Sequence, residues 1–222
     1  MTMRSISTQP VRAAVALVTV VAMCCGGGGG GNSPTAPSGP SCLDTAVFRA
    51  SDESRYAMPY EVGESNLLSQ SYCNSSGSHR DQLAYDFVMP FAAPVVAARS
   101  GVVVEARDQF PDDGVHSQNF NLVIIEHADG TGGIYAHLRQ GSLRVGVGDR
   151  VSRGQHFADA GTSGTGLPCM EPCAVLHFQV SRTPLWLLLD DVGVNFRNAE
   201  GPLDARNGLI AQESYLALAW PG

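Results

Sequence analysis

Between Tyr85 and Val180 the chain is built of short β-prone runs, each stopped by glycine, aspartate or serine, and no stretch shows helical periodicity of useful length. That pattern is the strongest constraint on what it can fold into. Candidate strands are Ala84–Val88, Val95–Ala98, Gly101–Ala106, Leu122–His127, Gly133–His137, Arg150–Ser152 and Val175–Val180. Their spacing of roughly ten residues predicts an all-β fold with an antiparallel sheet core, as a sandwich or open barrel. Asp129-Gly130 between two runs reads as a hairpin turn. The stretch 148–155 (GDRVSRGQ) reads as a tight Gly-bounded corner. The polar loop Arg107–Gln118 is long for a hairpin connection and is a candidate groove wall. Leu185–Leu189 and Val192–Phe196 read as a packing segment with a possible strand, and Leu209–Leu218 carries a weak helical pattern.

The N-terminus has a different character. Arg4 and Arg12 flank an apolar stretch from Ala13 to Met23, too short to span a bilayer and sized like the core of a signal peptide. Val21-Ala22-Met23-Cys24 is similar to a bacterial lipoprotein processing site, with Met23 atypical before the cysteine. Cleavage one residue later makes Cys25 the lipidated residue, and an ordinary secretory signal is the simpler alternative. The expected organisation is a signal peptide or lipoprotein signal at 1–25, a Gly/Pro/Ser-rich tether at 26–41 and a β domain at 42–222 with its core at 79–180. That predicts a bacterial cell-envelope protein, periplasmic or at the surface, with a lipid anchor as its membrane contact. Cys42, Cys73, Cys169 and Cys173 remain beyond the signal, and an even count in an oxidising compartment suggests disulfides. Cys42–Cys73 with Cys169–Cys173 is the favoured pairing, and metal thiolates are the alternative for the second pair. A net charge of -7 argues against nucleic acid as partner, while 44% hydrophobic residues suffice for a core.

Three stretches carry candidate chemistry. His177 sits in the apolar run Ala174–Val180, where a lone histidine is usually a satisfied core residue. His79, Asp86 and His137 change that reading, because together they supply the residue types of an open zinc (Zn²⁺) site. Asp86 lies between Tyr85 and Phe87 and needs a partner for its carboxylate. His79, Asp86 and His177 would be the metal ligands, and His137 the base beside them.

The segments Ala84–Pro90, Ala93–Ala98 with Gly101–Val103, Asn121–Gly130, Tyr135–Leu138, Val147–Gln155, Gly161–Gly164 and Leu176–Val180 form a collinear set. That set resembles the lysostaphin-like (LytM-type) peptidoglycan zinc metallopeptidases over about half the chain. The resemblance implies an antiparallel β core with a groove, a catalytic zinc, and hydrolysis of peptide bonds in cell-wall cross-bridges or stem peptides. Carried over by position, His79 and Asp86 match the first ligand motif, His177 the ligand ending the His-x-His motif, and His137 the catalytic imidazole of Tyr-Ala-His-Leu.

Two departures stand out. His79 and Asp86 are more widely spaced than in the short form of that motif, with exposed-looking Asp81 between them. Val175 occupies the first position of His-x-His, and alternation along a strand puts it on the same face as His177. Valine can neither donate a hydrogen bond nor carry a proton. The chain is therefore expected to be either a zinc endopeptidase with an altered proton-transfer arrangement or a silent domain that binds cell wall or regulates another hydrolase. Among possible substitutes, His127 is expected at an exposed strand end and His156 facing solvent, leaving His116 and Glu171 as candidates. Trp186 and Trp220 form no visible aromatic platform for carbohydrate.

Overall fold

The computed structural model describes residues 41–114, 119–165, 173–184 and 190–222. The expected signal at 1–25, tether residues 26–40, His116, Cys169, Glu171 and the 185–189 run lie outside the described residues. Eleven strands account for most of the regular structure: β1 Ser65–Gln70, β2 Ala84–Pro90, β3 Pro94–Val96, β4 Gly101–Arg107, β5 Leu122–Glu126, β6 Gly132–Ala136, β7 Arg150–Val151, β8 His156–Asp159, β9 Cys173–Ser181, β10 Ala199–Glu200 and β11 Ser214–Ala217. Nine of them form one sheet in the order β10-β11-β1-β2-β9-β6-β5-β4-β7, and β3 pairs with β8 separately. The pairings are antiparallel throughout, as expected for an all-β chain of closely spaced strands.

Alternation along the central strands decides which residues become core. On β2, Tyr85, Phe87 and Met89 are buried on one face, and on β9 Ala174, Leu176, Phe178 and Val180 join them. Val95 of β3, Phe157 and Ala158 of β8, and Tyr56, Met58 and Tyr60 complete this cluster. Phe178 anchors it through ring contacts with Tyr56, Tyr135 and Phe196. The opposite face of the large sheet carries a smaller apolar group, Leu122, Ile124, Ile134 and Ala136, with Val104 and Phe120 against it. Asp86, His177 and Gln179 alternate onto that second face.

The β5–β6 hairpin turns at Asp129-Gly130. Gly130 adopts φ +81°, and the Asp129 carboxylate accepts the Thr131 hydroxyl at 2.7 Å. The weak helical pattern of the tail does not become a helix. Instead of a helix over Leu209–Leu218, residues Ser214–Ala217 form β11, which pairs with β1 and buries Tyr215. A ladder partner and a buried aromatic outweigh a weak local periodicity. Val192–Phe196 forms no strand, yet Val194 and Phe196 pack into the core. Cys42 and Cys73 are bridged, and Cys173 is also disulfide-bonded.

Candidate metal centre

Asp86 and His177 lie directly opposite each other on β2 and β9, and Ala136 of β6 lies on the other side of His177. This register puts a carboxylate and an imidazole side by side on one face. Small Ala136 leaves room beside the ring. His79 arrives from the loop before β2. That loop is closed at its neck by the Cys73 amide donating to the Gln82 carbonyl at 2.9 Å, and Cys73 is pinned to Cys42. The wider spacing between His79 and Asp86 is taken up in this loop and leaves Asp81 exposed. All three site residues are buried.

Asp86 Oδ1 lies 2.9 Å from His177 Nδ1 and 3.2 Å from His79 Nε2, and the two imidazole nitrogens are 3.2 Å apart. Four-coordinate zinc with bonds of about 2.0–2.1 Å separates its ligand atoms by roughly 3.3 Å. The outward nitrogens decide what the inward ones carry. His79 Nδ1 donates to the Ser71 carbonyl at 3.2 Å, and His177 Nε2 donates to Gln179 Oε1 at 3.2 Å. In their neutral forms both rings therefore point lone pairs inward, at each other and at a carboxylate oxygen. Such a triplet is repulsive unless a proton or a cation sits among them. The three ligand atoms lie within 4.8 Å of one another, so the donor set suits a zinc ion.

The charge balance of the three residues points the same way. Burial pushes the Asp86 pKa up, but His177 and His79 outweigh it and hold the carboxyl well below the usual range. Burial likewise disfavours charge on His177, and Asp86 overrides it to raise the pKa. Metal binding would displace a proton from this cluster.

Two glutamines support the cluster, and sequence reasoning missed both. Gln70 donates to Asp86 Oδ2 at 2.9 Å and accepts the Ser78 amide at 3.0 Å, tying the carboxylate to the residue before His79. Gln179 donates through Nε2 to Asp191 Oδ1, which fixes its Oε1 toward His177, and Asp191 Oδ2 accepts the Leu83 amide at 2.9 Å. The pattern Leu-His-Phe-Gln-Val contained a signal for Gln179, since i and i+2 share a face. Nothing local marked Gln70.

His137 stands just past the end of β6 with φ +63°, a left-handed conformation uncommon outside glycine. Its Nδ1 donates to the Ser163 carbonyl at 2.8 Å, so Nε2 carries the lone pair. Burial, then the neighbouring His177, lowers its pKa. Ser163 is itself held by its hydroxyl donating to the Leu138 carbonyl at 2.7 Å and accepting the Asn121 amide at 3.0 Å. His137, Val175, Phe120, Gln70 and the three candidate ligands line one cleft of about 250 Å³. Val175 does face the site.

The other histidines are elsewhere. His127 is buried rather than exposed: its Nδ1 donates to the Ser100 carbonyl and its ring lies edge-on to Tyr56. Packing under the β5–β6 hairpin draws in a residue that its place beside a turn had suggested was solvated. His156 is half-buried against Asp159 at 2.8 Å. Among the described residues of the Arg107–Gln118 loop none lines the cleft. Instead Asp112 accepts the Gln140 and Thr162 amides, joining the loops that flank His137.

Fold and site together define an antiparallel β domain with a buried His–Asp–His cluster at the floor of a cleft. Residues 80–186, just under half of the chain, match peptidase family M23. The cell division protein DipM of Caulobacter vibrioides is 28% identical over 158 residues, covering 68% of this chain but only 23% of that protein. Among solved structures, a zinc containing peptidase from Vibrio cholerae is 25% identical over 63% of this chain and 39% of its own, with a TM-score of 0.42. The catalytic domain of the antimicrobial peptidase lysostaphin from Staphylococcus simulans is 24% identical over 58% and 86%, with a TM-score of 0.42.

Proposed function

We propose that this domain is a zinc-dependent peptidase-type unit of the bacterial cell envelope, directed at peptidoglycan peptides. The observation that carries this reading is the convergence of two lone-pair nitrogens and one carboxylate oxygen beside a cleft that also contains His137. His79, Asp86 and His177 would hold the metal. A zinc ion there would polarise a peptide carbonyl and bring the pKa of a water in its open position toward about 7. His137 would take up a proton at Nε2, the nitrogen left unprotonated by its bond to Ser163. The likeness to a cell division protein supports an envelope setting.

Val175 supports a second reading. It contributes only methyl groups to the cleft, and losing one positioned acid–base or electrostatic group typically lowers a rate by about 10²–10⁴. On this reading the domain binds cell wall or regulates another hydrolase without efficient turnover. Metal analysis of purified protein, together with digestion of purified cell walls, tests the first reading: zinc-free protein that releases no peptide products overturns it. Efficient cleavage lost in His137→Ala overturns the second. Val175→His then separates an impaired site from a rewired one. A gain of about a hundredfold marks impairment, and an unchanged rate marks rewiring. Anchoring through Cys24 or Cys25 is part of the proposal, and membrane-phase partition of the full chain that survives Cys24→Ser/Cys25→Ser would remove it.

A further inference from the structure

The Gly-bounded corner at 148–155 has no part in the cleft, yet it delivers an arginine to a pocket of unusual charge. Gly154 turns the chain at φ +80°, and the Arg153 amide donates to Ser100 Oγ at 2.8 Å, fixing the corner against the start of β4. The Arg153 guanidinium carbon lies 3.5 Å from the centroid of the Trp220 ring, and that of Arg197 lies 5.6 Å from the same centroid. Two cations thus share one indole. Arg55 and Arg99 line the same pocket of about 500 Å³, where Glu53 is the one acidic lining residue. Arg55 and Arg99 both pair with Asp129, at 3.5 and 2.8 Å. Neither Arg153 nor Arg197 has a carboxylate partner among the described residues.

This concentration runs against a net charge of -7. Partial burial, then the charge of Arg197, lowers the Arg153 pKa. Stacking on the indole holds a guanidinium plane while its edge remains available to donate, and guanidinium forks match oxyanions bidentately. A dianion would neutralise both arginines at once. We propose that the Arg153–Arg197–Trp220 pocket binds a phosphate group, held by the two arginines that lack a carboxylate partner among the described residues. The group can come from a soluble phosphate or from a phospholipid headgroup. The pocket shares no lining residue with the metal cleft, so the proposal is independent of the peptidase reading.

Calorimetric titration of the full chain with inorganic phosphate tests it, at constant ionic strength and after chelator treatment so that a bound metal does not contribute. Saturable binding is expected, weakened at least about tenfold in Arg153→Gln and in Arg197→Gln and unchanged in His177→Ala. Circular dichroism of each variant checks that it folds. Sedimentation with phosphatidylglycerol and with phosphatidylcholine vesicles then separates the sources. Pelleting with phosphatidylglycerol alone, lost in Arg153→Gln, supports the headgroup, and phosphate binding without pelleting supports a soluble ligand. Absence of saturable binding, binding retained in both variants, or equal competition by acetate overturns the proposal.

Discussion

At His79 and His177 the hydrogen bond made outside the cluster decides what the ring offers inside it. A backbone carbonyl can only accept, so Ser71 settles the tautomer of His79 directly. His177 depends on a side chain, and Gln179 is oriented in turn by Asp191. Gln179→Leu keeps the bulk and removes the acceptor. The expected result is zinc affinity about 10–100-fold weaker in competition with a chromophoric chelator. An unchanged affinity would mean that His177 holds its orientation by packing alone. His79, Asp86, His137 and His177 were legible as candidates because their residue types are rare in apolar strands or recur in an ordered set of motifs. Gln70 was not legible, because its role exists only once β1 lies against β2.

The strands set which side chains share a face, and the pairing of β2 with β9 turns two alternations into a site. Tyr85 and Phe87 face the core while Asp86 faces the cleft, and Leu176 and Phe178 flank His177 in the same way. The β5–β6 hairpin carries a consequence for pH. Burial, reinforced by Arg99, brings the His127 pKa down to about 4. Its Nε2 has no hydrogen-bond partner among the described residues, consistent with a neutral ring. An unfolded histidine titrates near about 6.5, so between that value and 4 the unfolded chain binds the extra proton. The contribution to stability is complete above pH about 6.5 and is lost as pH falls toward 4, by roughly 2–3 kcal/mol at most. In urea unfolding, His127→Phe should flatten the decline in midpoint between pH about 7 and about 4.5 relative to wild type. An identical decline in both proteins would assign the acid sensitivity to other groups.

At the scale of the molecule, metal and disulfide should each stabilise the fold measurably. Zinc at about 100 times its Kd adds about 2.7 kcal/mol, which corresponds to a rise in Tm of roughly 5–10 °C for a domain of this size. Scanning calorimetry with zinc and with chelator should show that rise in wild type and its loss in Asp86→Ala. The Cys42–Cys73 bridge closes a loop with a sequence separation of 31, for which chain entropy suggests about 3–4 kcal/mol. Cys42→Ala/Cys73→Ala should lower Tm by about 10 °C, and an unchanged Tm would mean that the unfolded loop is already constrained. The all-β class, the hairpin at Asp129-Gly130, the faces of the central strands and the four candidate site residues follow from local pattern and motif order, because alternation and turn chemistry act over neighbouring residues. Tertiary structure alone decided that β11 pairs with β1, that His127 is buried, and that Gln70 supports the cluster. It also brought Arg153, Arg197 and Trp220 together. Each of these depends on surfaces far apart in the chain meeting, and no local periodicity encodes which distant partner a strand or loop will find.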